Sequence, residues 1–360
     1  MPSLLSFTPR GIHCPIADVY IDPWRGVDRA IITHAHSDHA RGGSKNYLAT
    51  PITKALMHAR IGADLNIEAI GYGEPITMNG VRFSLHPAGH IPGSAQIRVE
   101  YQGEVWVATG DYKRQPDGIS PAFEPIRCNT LITECTFGLP IYRWKEPALI
   151  FNEMDAWWRG NAANGACSII SAYSLGKAQR VMMGVDRSIG PILVHGAVAN
   201  MNTVLQECGL TLPPWELITT DTPKERFRNA LVITPGSAIG TTWSNKMKPY
   251  RSAMASGWMQ LRGWRRRSNI DKGFVLSDHA DWDGLLHTVA ETGAERVIAT
   301  HGYTDLFSQY LRSVGYDATA ESTEFGTDDN VDPRTDVTNS TSSVDPLGRP
   351  MTTGSQPPEA

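Results

Sequence analysis

The chain has 360 residues, 41% hydrophobic and 19% charged, with a formal net charge of −4 at pH 7. That length suggests two domains, and the charge excludes a globally basic surface for nucleic acid while allowing a local patch. No apolar run approaches the ~18 residues of a membrane span. The opening "MPSLLSFTPRGIHCP" has no basic-then-apolar leader, so a cytoplasmic location without a membrane partner is expected. Five cysteines, an odd number with no C-x-x-C pair, argue against a disulfide framework and a thiolate zinc site.

Residues 1–140 read as short strands between Gly/Pro turns, including "ADVYID", "RAIITH", "NYLAT", "VRFSLHPAG", "AQIRVEY", "EVWVATGD" and "TLITECT". Their β-branched content supports this, and "TPITKALMHARIG" is the best early helix. Over 141–270 strands and helices alternate: "EPALIFNEMDAWWRGNAANG", "ACSIISAYS", "GKAQRVMMGVDRSI", "PILVHG", "AVANMNTVLQECG", "NALVITPG". Such alternation predicts a parallel α/β unit. Residues 271–325, beginning "KGFVLSDHADWDGLL", return to strand–helix–strand with histidines at strand ends. The economical reading is one domain inserted into another. Residues 326–360 are rich in Asp, Ser, Thr, Pro and Gly, which predicts a disordered tail.

"AIITHAHSDHARGG" places His34, His36, Asp38 and His39 directly after an apolar strand. On an extended backbone His34 and His36 project to one side, with a carboxylate and a third imidazole close behind. That pattern suits one or two first-row divalent ions. His90 in "AGH", Asp111 in "TGD" and His301 in "ATHGY" repeat the strand-end placement. If these ends converge, Asp111 can bridge two ions about 3.5–4 Å apart.

In this order, "THAHSDH", "AGH" and "TGD" resemble the metallo-β-lactamase fold, an αββα sandwich of the α/β class. With "LITECTFG", "SAYSLGKAQR", "LSDHADWDGLL" and "ATHGY", residues 10–320 resemble the β-CASP nucleases, which insert a second α/β domain into that fold. The chain is most similar to the bacterial ligase-associated DNA exonucleases, with Artemis-type repair nucleases more distant. The resemblance implies two divalent cations, Zn²⁺ and/or Mn²⁺. His34, His36, His90 and Asp111 would hold one; Asp38, His39, Asp111 and His301 the other. It gives catalytic roles to Asp38, Glu134, His279 and Asp22, with Asp22 orienting a ligand imidazole; protonating a leaving group needs a residue that titrates near neutral pH, and His279, which Glu134 could keep charged, fits as the acid. It implies a 5′-to-3′ DNA exonuclease acting on single-stranded or frayed ends in repair, with a DNA ligase and a helicase as pathway partners. His301 departs from the valine usual in Artemis-type enzymes and matches RNA-processing members. An RNA nuclease therefore stays open, as does a small-molecule hydrolase.

For the polymer, "NKMKPYRSAMASGWMQLRGWRRR" interleaves Lys246, Lys248, Arg251, Arg262 and Arg265 with Trp258 and Trp264. Cations can track phosphates and aromatic faces can stack on bases; a solvated helix face with core tryptophans is the alternative. Ser237 in "TPGSAIG" sits in a turn whose N–H groups could bind phosphate, and Lys177 or Arg180 in "LGKAQR" could meet phosphate too.

Overall fold

The computed structural model describes residues 3–261, 263 and 270–324. The expectations for Arg262, Trp264, Arg265 and the tail from 326 onward lie outside the described residues.

Six strands form the first sheet in chain order: β1 (Ser6–Thr8), β2 (Gly11–Cys14), β3 (Val19–Ile21), β4 (Arg29–Ile31), β5 (Asn46–Ala49) and β6 (Ile67–Ala69). Pairing is antiparallel up to β3 and parallel beyond it. Helix α1 (Pro51–Arg60) links β5 to β6; it starts at proline, and the Thr50 side chain accepts from the Thr53 N–H, a standard N-terminal cap.

The second sheet begins as a meander of β7 (Pro75–Met78), β8 (Val81–Pro87), β9 (Ala95–Tyr101) and β10 (Glu104–Ala108), to which β11 (Thr130–Cys135) adds in parallel. The inner faces of the two sheets meet in a core where Val19, Ile21, Ile31 and Leu48 pack with Phe83, Leu85, Ile97, Val99 and Ile132.

The chain then leaves this sandwich. Helix α2 (Pro147–Ala163), β12 (Cys167–Ser171), α3 (Lys177–Gly184), β13 (Ile192–Val194), α4 (Gly196–Glu207), β14 (Glu216–Leu217), β15 (Leu231–Thr234), β16 (Tyr250–Ala255) and β17 (Lys272–Phe274) follow. Their strands make a third, wholly parallel sheet in the order β14-β13-β15-β12-β16-β17. Its central strands are buried throughout, as parallel strands covered on both faces must be. Returning, α5 (Trp282–Thr292) leads to β18 (Arg296–Gly302), α6 (Thr304–Ser313) and β19 (Asp317–Ala320). Strand β18 inserts beside β11 and completes the second sheet. Helices α5 and α6 cover its outer face through Trp282, Leu285, Val289, Phe307 and Leu311. Helices α1 and α4 cover the outer face of the first sheet through Leu56, Met57, Met201 and Leu205.

Two local expectations change. "KGF", read as opening the returning segment, is the edge strand of the third sheet. The basic-aromatic run is not a helix face: Tyr250–Ala255 is an inner strand of that sheet, with Ser252–Ala255 buried. Among the described residues no helix is long and apolar enough to cross a membrane.

Candidate metal centre

Strand ends of the first two sheets meet at one point. The segment after β4 carries His34, His36, Asp38 and His39, the turn after β8 carries His90, the turn after β10 carries Asp111, and β18 carries His301. Two groups of donors converge there, each with one ligand atom per residue, all within 4.8 Å of one another: His34, His36, His90 and Asp111, and Asp38, His39, Asp111 and His301. Asp111 belongs to both. Its Oδ2 lies 3.5 Å from His34 Nε2 and 3.7 Å from His90 Nε2, while its Oδ1 lies 3.4 Å from His39 Nε2.

The tautomers follow from the outer hydrogen bonds. His90 Nδ1–H donates to the Asp278 carbonyl at 2.8 Å and His36 Nε2–H to the Leu175 carbonyl at 3.2 Å. The Thr33 hydroxyl donates to Asp22, so it accepts from His34 Nδ1–H at 3.1 Å. The inner nitrogens of all three rings are therefore lone pairs. Yet His36 Nδ1 lies 3.2 Å from His34 Nε2 and 3.1 Å from His90 Nε2. Three lone pairs facing one another beside a carboxylate oxygen repel unless a cation sits among them. Burial and, secondarily, neighbouring imidazoles hold His34 and His90 well below the ordinary histidine pKa, which keeps these rings neutral.

The second group makes the same demand. His39 Nδ1–H donates to Asp22 Oδ2 at 2.7 Å, leaving Nε2 to face Asp111 Oδ1 and, at 3.7 Å, Asp38 Oδ2. His39 Nε2 and Asp111 Oδ1 are buried and have no hydrogen-bond partner among the described residues. Burial opposes charge on His39, but Asp111 and Asp38 outweigh it and hold the ring well above its ordinary pKa; this point favours positive charge. The donor set, all imidazole and carboxylate with acceptors turned inward, fits two divalent cations. Zinc, manganese and iron share that preference.

His301 reaches the group through an irregularity. Glu134 pairs with Thr300 and Cys135 with Gly302, so His301 is the extra residue of a β-bulge. Its φ is +54°. A bulge re-aims a side chain, and here it brings Nε2 to 3.8 Å from Asp38 Oδ2.

Glu134 and His279 stand beside these donors. His279 Nδ1 lies 3.0 and 2.9 Å from the two Glu134 oxygens, and Glu134 Oε1 also accepts the Tyr112 N–H at 2.8 Å. Burial works against charge on His279, but Glu134, then Asp111, overcome it and raise its pKa to about 9. A protonated imidazole is thus held at the edge of the centre.

The expected polymer contacts fare differently. Lys177 and Arg180 are buried and spent on Asp278, which removes them from any polymer-facing surface. Trp258 is buried and packs its ring 4.7 Å from Phe137, so it is a core tryptophan. Lys246 donates to the Thr219 carbonyl at 2.7 Å, and Arg251 pairs with Asp271 at 3.3 Å. Together with exposed Lys248 they lie at or before the start of β16, the edge of the third sheet opposite the one leading through β12 to Leu175. Ser237 is at the carboxyl edge, in the turn after β15, as is His195 after β13. Leu175 and Asp278, whose carbonyls orient two imidazoles, were not foreseen. A backbone acceptor leaves no residue-type signal, although Asp278 directly precedes His279 in the motif.

No protein-family model matches the chain. It is 32% identical over 326 residues, 89% of its length, to a protein named a probable DNA ligase from Opitutus terrae, of which the match covers 31%. It is 28% identical over 181 residues (48% of this chain, 26% of the relative) to cleavage and polyadenylation specificity factor 73 of Drosophila melanogaster. Endoribonuclease YSH1 of Saccharomyces cerevisiae is 31% identical over 123 residues, 33% of this chain and 15% of the relative. The chain thus spans about a third or less of these curated relatives. The crystal structure of a protein of unknown function from Enterococcus faecalis V583 shares the fold, with a TM-score of 0.57 at 12% identity, over 83% of this chain and 80% of that one. On these relatives and its ordered motifs, the chain belongs to the β-CASP metallo-β-lactamase family.

Proposed function

We propose that the chain is a metal-dependent nuclease that hydrolyses phosphodiester bonds in DNA, as a 5′-to-3′ exonuclease acting on single-stranded or frayed ends in repair. In this reading residues 1–140 and 275–325 form the metallo-β-lactamase unit and 141–274, which include the edge strand β17, an inserted β-CASP unit that grips the strand. The observation that carries the hydrolytic part is the pair of imidazole–carboxylate groups sharing Asp111. Two divalent cations held there supply water activated at neutral pH and neutralise charge on a phosphodiester.

The remaining work falls to the chain. Asp111 offers one oxygen to each group, which fixes their separation. Asp22 and Thr33 orient His39 and His34. Glu134 keeps His279 charged and aimed, and His279 donates a proton to the departing oxygen, a general-acid role. The strand crosses the carboxyl edge of the third sheet, where parallel α/β sheets bind ligands; Ser237 and His195 line that edge. The long match to a protein named a DNA ligase supports DNA, and a shared repair pathway with a ligase and a helicase. The matches to a protein named an endoribonuclease, with His301, support RNA as the second reading.

DNA and RNA strands labelled at either end, carrying 5′-phosphate or 5′-hydroxyl, are to be incubated with the chain and Mn²⁺ or Zn²⁺. Mononucleotides released from the 5′ end of DNA are expected. Cleavage of RNA alone, or internal cuts only, would replace the reading with the second one. Hydrolysis of small esters with no polymer cut would discard both.

A further inference from the structure

His36 and His90 owe their orientation to carbonyls on segments that carry none of the proposed ligands. Leu175, which accepts from His36, ends the short link from β12 of the third sheet to α3. That link is tightly built. Gly176 has φ +89°, and a Cβ there would fall 2.3 Å from Ile91 Cγ2, beside His90. The Gly176 N–H donates to Gln179 Oε1 at 2.7 Å, while Gln179 Nε2 donates to the Ser174 carbonyl at 2.9 Å. Asp278, which accepts from His90, is gripped from the same turn. Lys177 Nζ lies 3.2 Å from its Oδ2 and Arg180 Nη1 3.3 Å from its Oδ1, and Arg180 also donates to the Ser277 carbonyl. The Lys177 ammonium further lies 4.9 Å from the centre of the Tyr173 ring, which is 6.3 Å from the His36 ring.

Buried ion clusters cost desolvation and are weak stabilisers, so this one calls for another role. We infer that Lys177 and Arg180 are positioning residues: by clamping Asp278 they hold the Leu175 and Asp278 carbonyls against His36 and His90, and so tie the ion affinity of the His34–His36–His90–Asp111 group to the docking of the third sheet on the sandwich. The inference rests on the metal reading above. Outer hydrogen bonds to ligand imidazoles are worth about 10–100-fold in affinity, and coupling of this kind is reciprocal.

The full chain is stripped with a chelator and titrated with Zn²⁺ alone, by competition with a chromophoric chelator. Lys177→Met leaves Arg180 to pair with Asp278. It is expected to weaken one of two binding steps about tenfold or more, leave the other within about threefold, and leave metal-free melting nearly unchanged; Lys177→Arg is expected to recover most of the loss. In the wild-type chain, Zn²⁺ is expected to slow amide exchange in residues 176–180, which contribute no ligand. Failure of the wild type to bind Zn²⁺ would overturn the metal reading itself. Two intact binding steps in folded Lys177→Met overturn the positioning role alone. So does wild-type Zn²⁺ binding without protection of residues 176–180, a measurement that stands even if the variant does not fold.

Discussion

His36 and His39 stand three residues apart on one loop, yet their outer nitrogens are held by different parts of the molecule. His39 is anchored to Asp22, just past β3 of the same sheet, and Asp22 also takes the Thr33 N–H at 2.8 Å. His36 is anchored to Leu175, a carbonyl delivered by the third sheet. One donor group is therefore supported from within the sandwich, the other partly from outside it. Two donor groups that look equivalent by residue type differ in what can loosen them: Asp38–His39–Asp111–His301 should follow the integrity of the first sheet, and His34–His36–His90–Asp111 the seating of the third.

The change that should break both groups at once is Asp111→Asn. It removes charge from the one carboxylate they share and puts an amide N–H₂ against lone pairs. Metal content after dialysis against micromolar Zn²⁺ is expected to fall from about two equivalents to less than one. Retention of two would show that Asp111 does not bridge.

Asp22→Asn sharpens the comparison by striking the sandwich-supported group first, because Asp22 holds His39 directly and His34 only through the Thr33 hydroxyl. The amide can present N–H to His39 Nδ1 and favour the wrong tautomer. One binding step is expected to weaken about 10–100-fold, with the other weakened much less. Equal loss at both steps would mean that the groups are not independently supported.

His279→Gln should leave both binding steps intact and change only the rate. The His279 pKa is raised to about 9, by Glu134 and then Asp111 against the effect of burial, so the acid is protonated at neutral pH. The wild-type rate is expected to fall as pH rises through that value, and the variant to lose that alkaline limb while being slower by about 10²-fold or more. An unchanged limb would assign it to another group.

The smallest effect is expected from Arg251→Ala. Arg251 is exposed, pairs with Asp271 at 3.3 Å, and stands at the amino-terminal start of β16. Stability should move by no more than about 0.5 kcal/mol, with both Zn²⁺ affinities unchanged. A clear drop in strand binding would restore this edge of the third sheet to the polymer path.

The sequence made the donors legible because they recur at strand ends, where residue type and position coincide. His34, His36, His90 and Asp111 stand out as imidazoles and a carboxylate just after apolar strands. The parallel third sheet was readable from strand–helix alternation. Short edge strands such as β1, β6 and β19 were not, since three or four residues carry too little periodicity. The run around Trp258 misled because charge and aromaticity describe composition, whereas burial depends on which strand the segment joins. "YRSAMA" is an inner strand whose one arginine dominates its appearance. Lys177 and Arg180 misled similarly: cations near a predicted active site suggested phosphate, and a buried aspartate a hundred residues later takes them instead.

The bulge at His301 makes one position answer two questions together. At φ +54° a histidine is tolerated, but a β-branched residue there is a true outlier. His301→Val would thus remove an imidazole and also press β18 to realign with β11, moving Thr300 and Gly302 from their pairs with Glu134 and Cys135. The loss of one ligand could be transmitted as a slip of the strand that flanks Glu134, and through Glu134 to the aim of His279. Chain geometry, as well as ligand chemistry, then limits which residues this position can exchange.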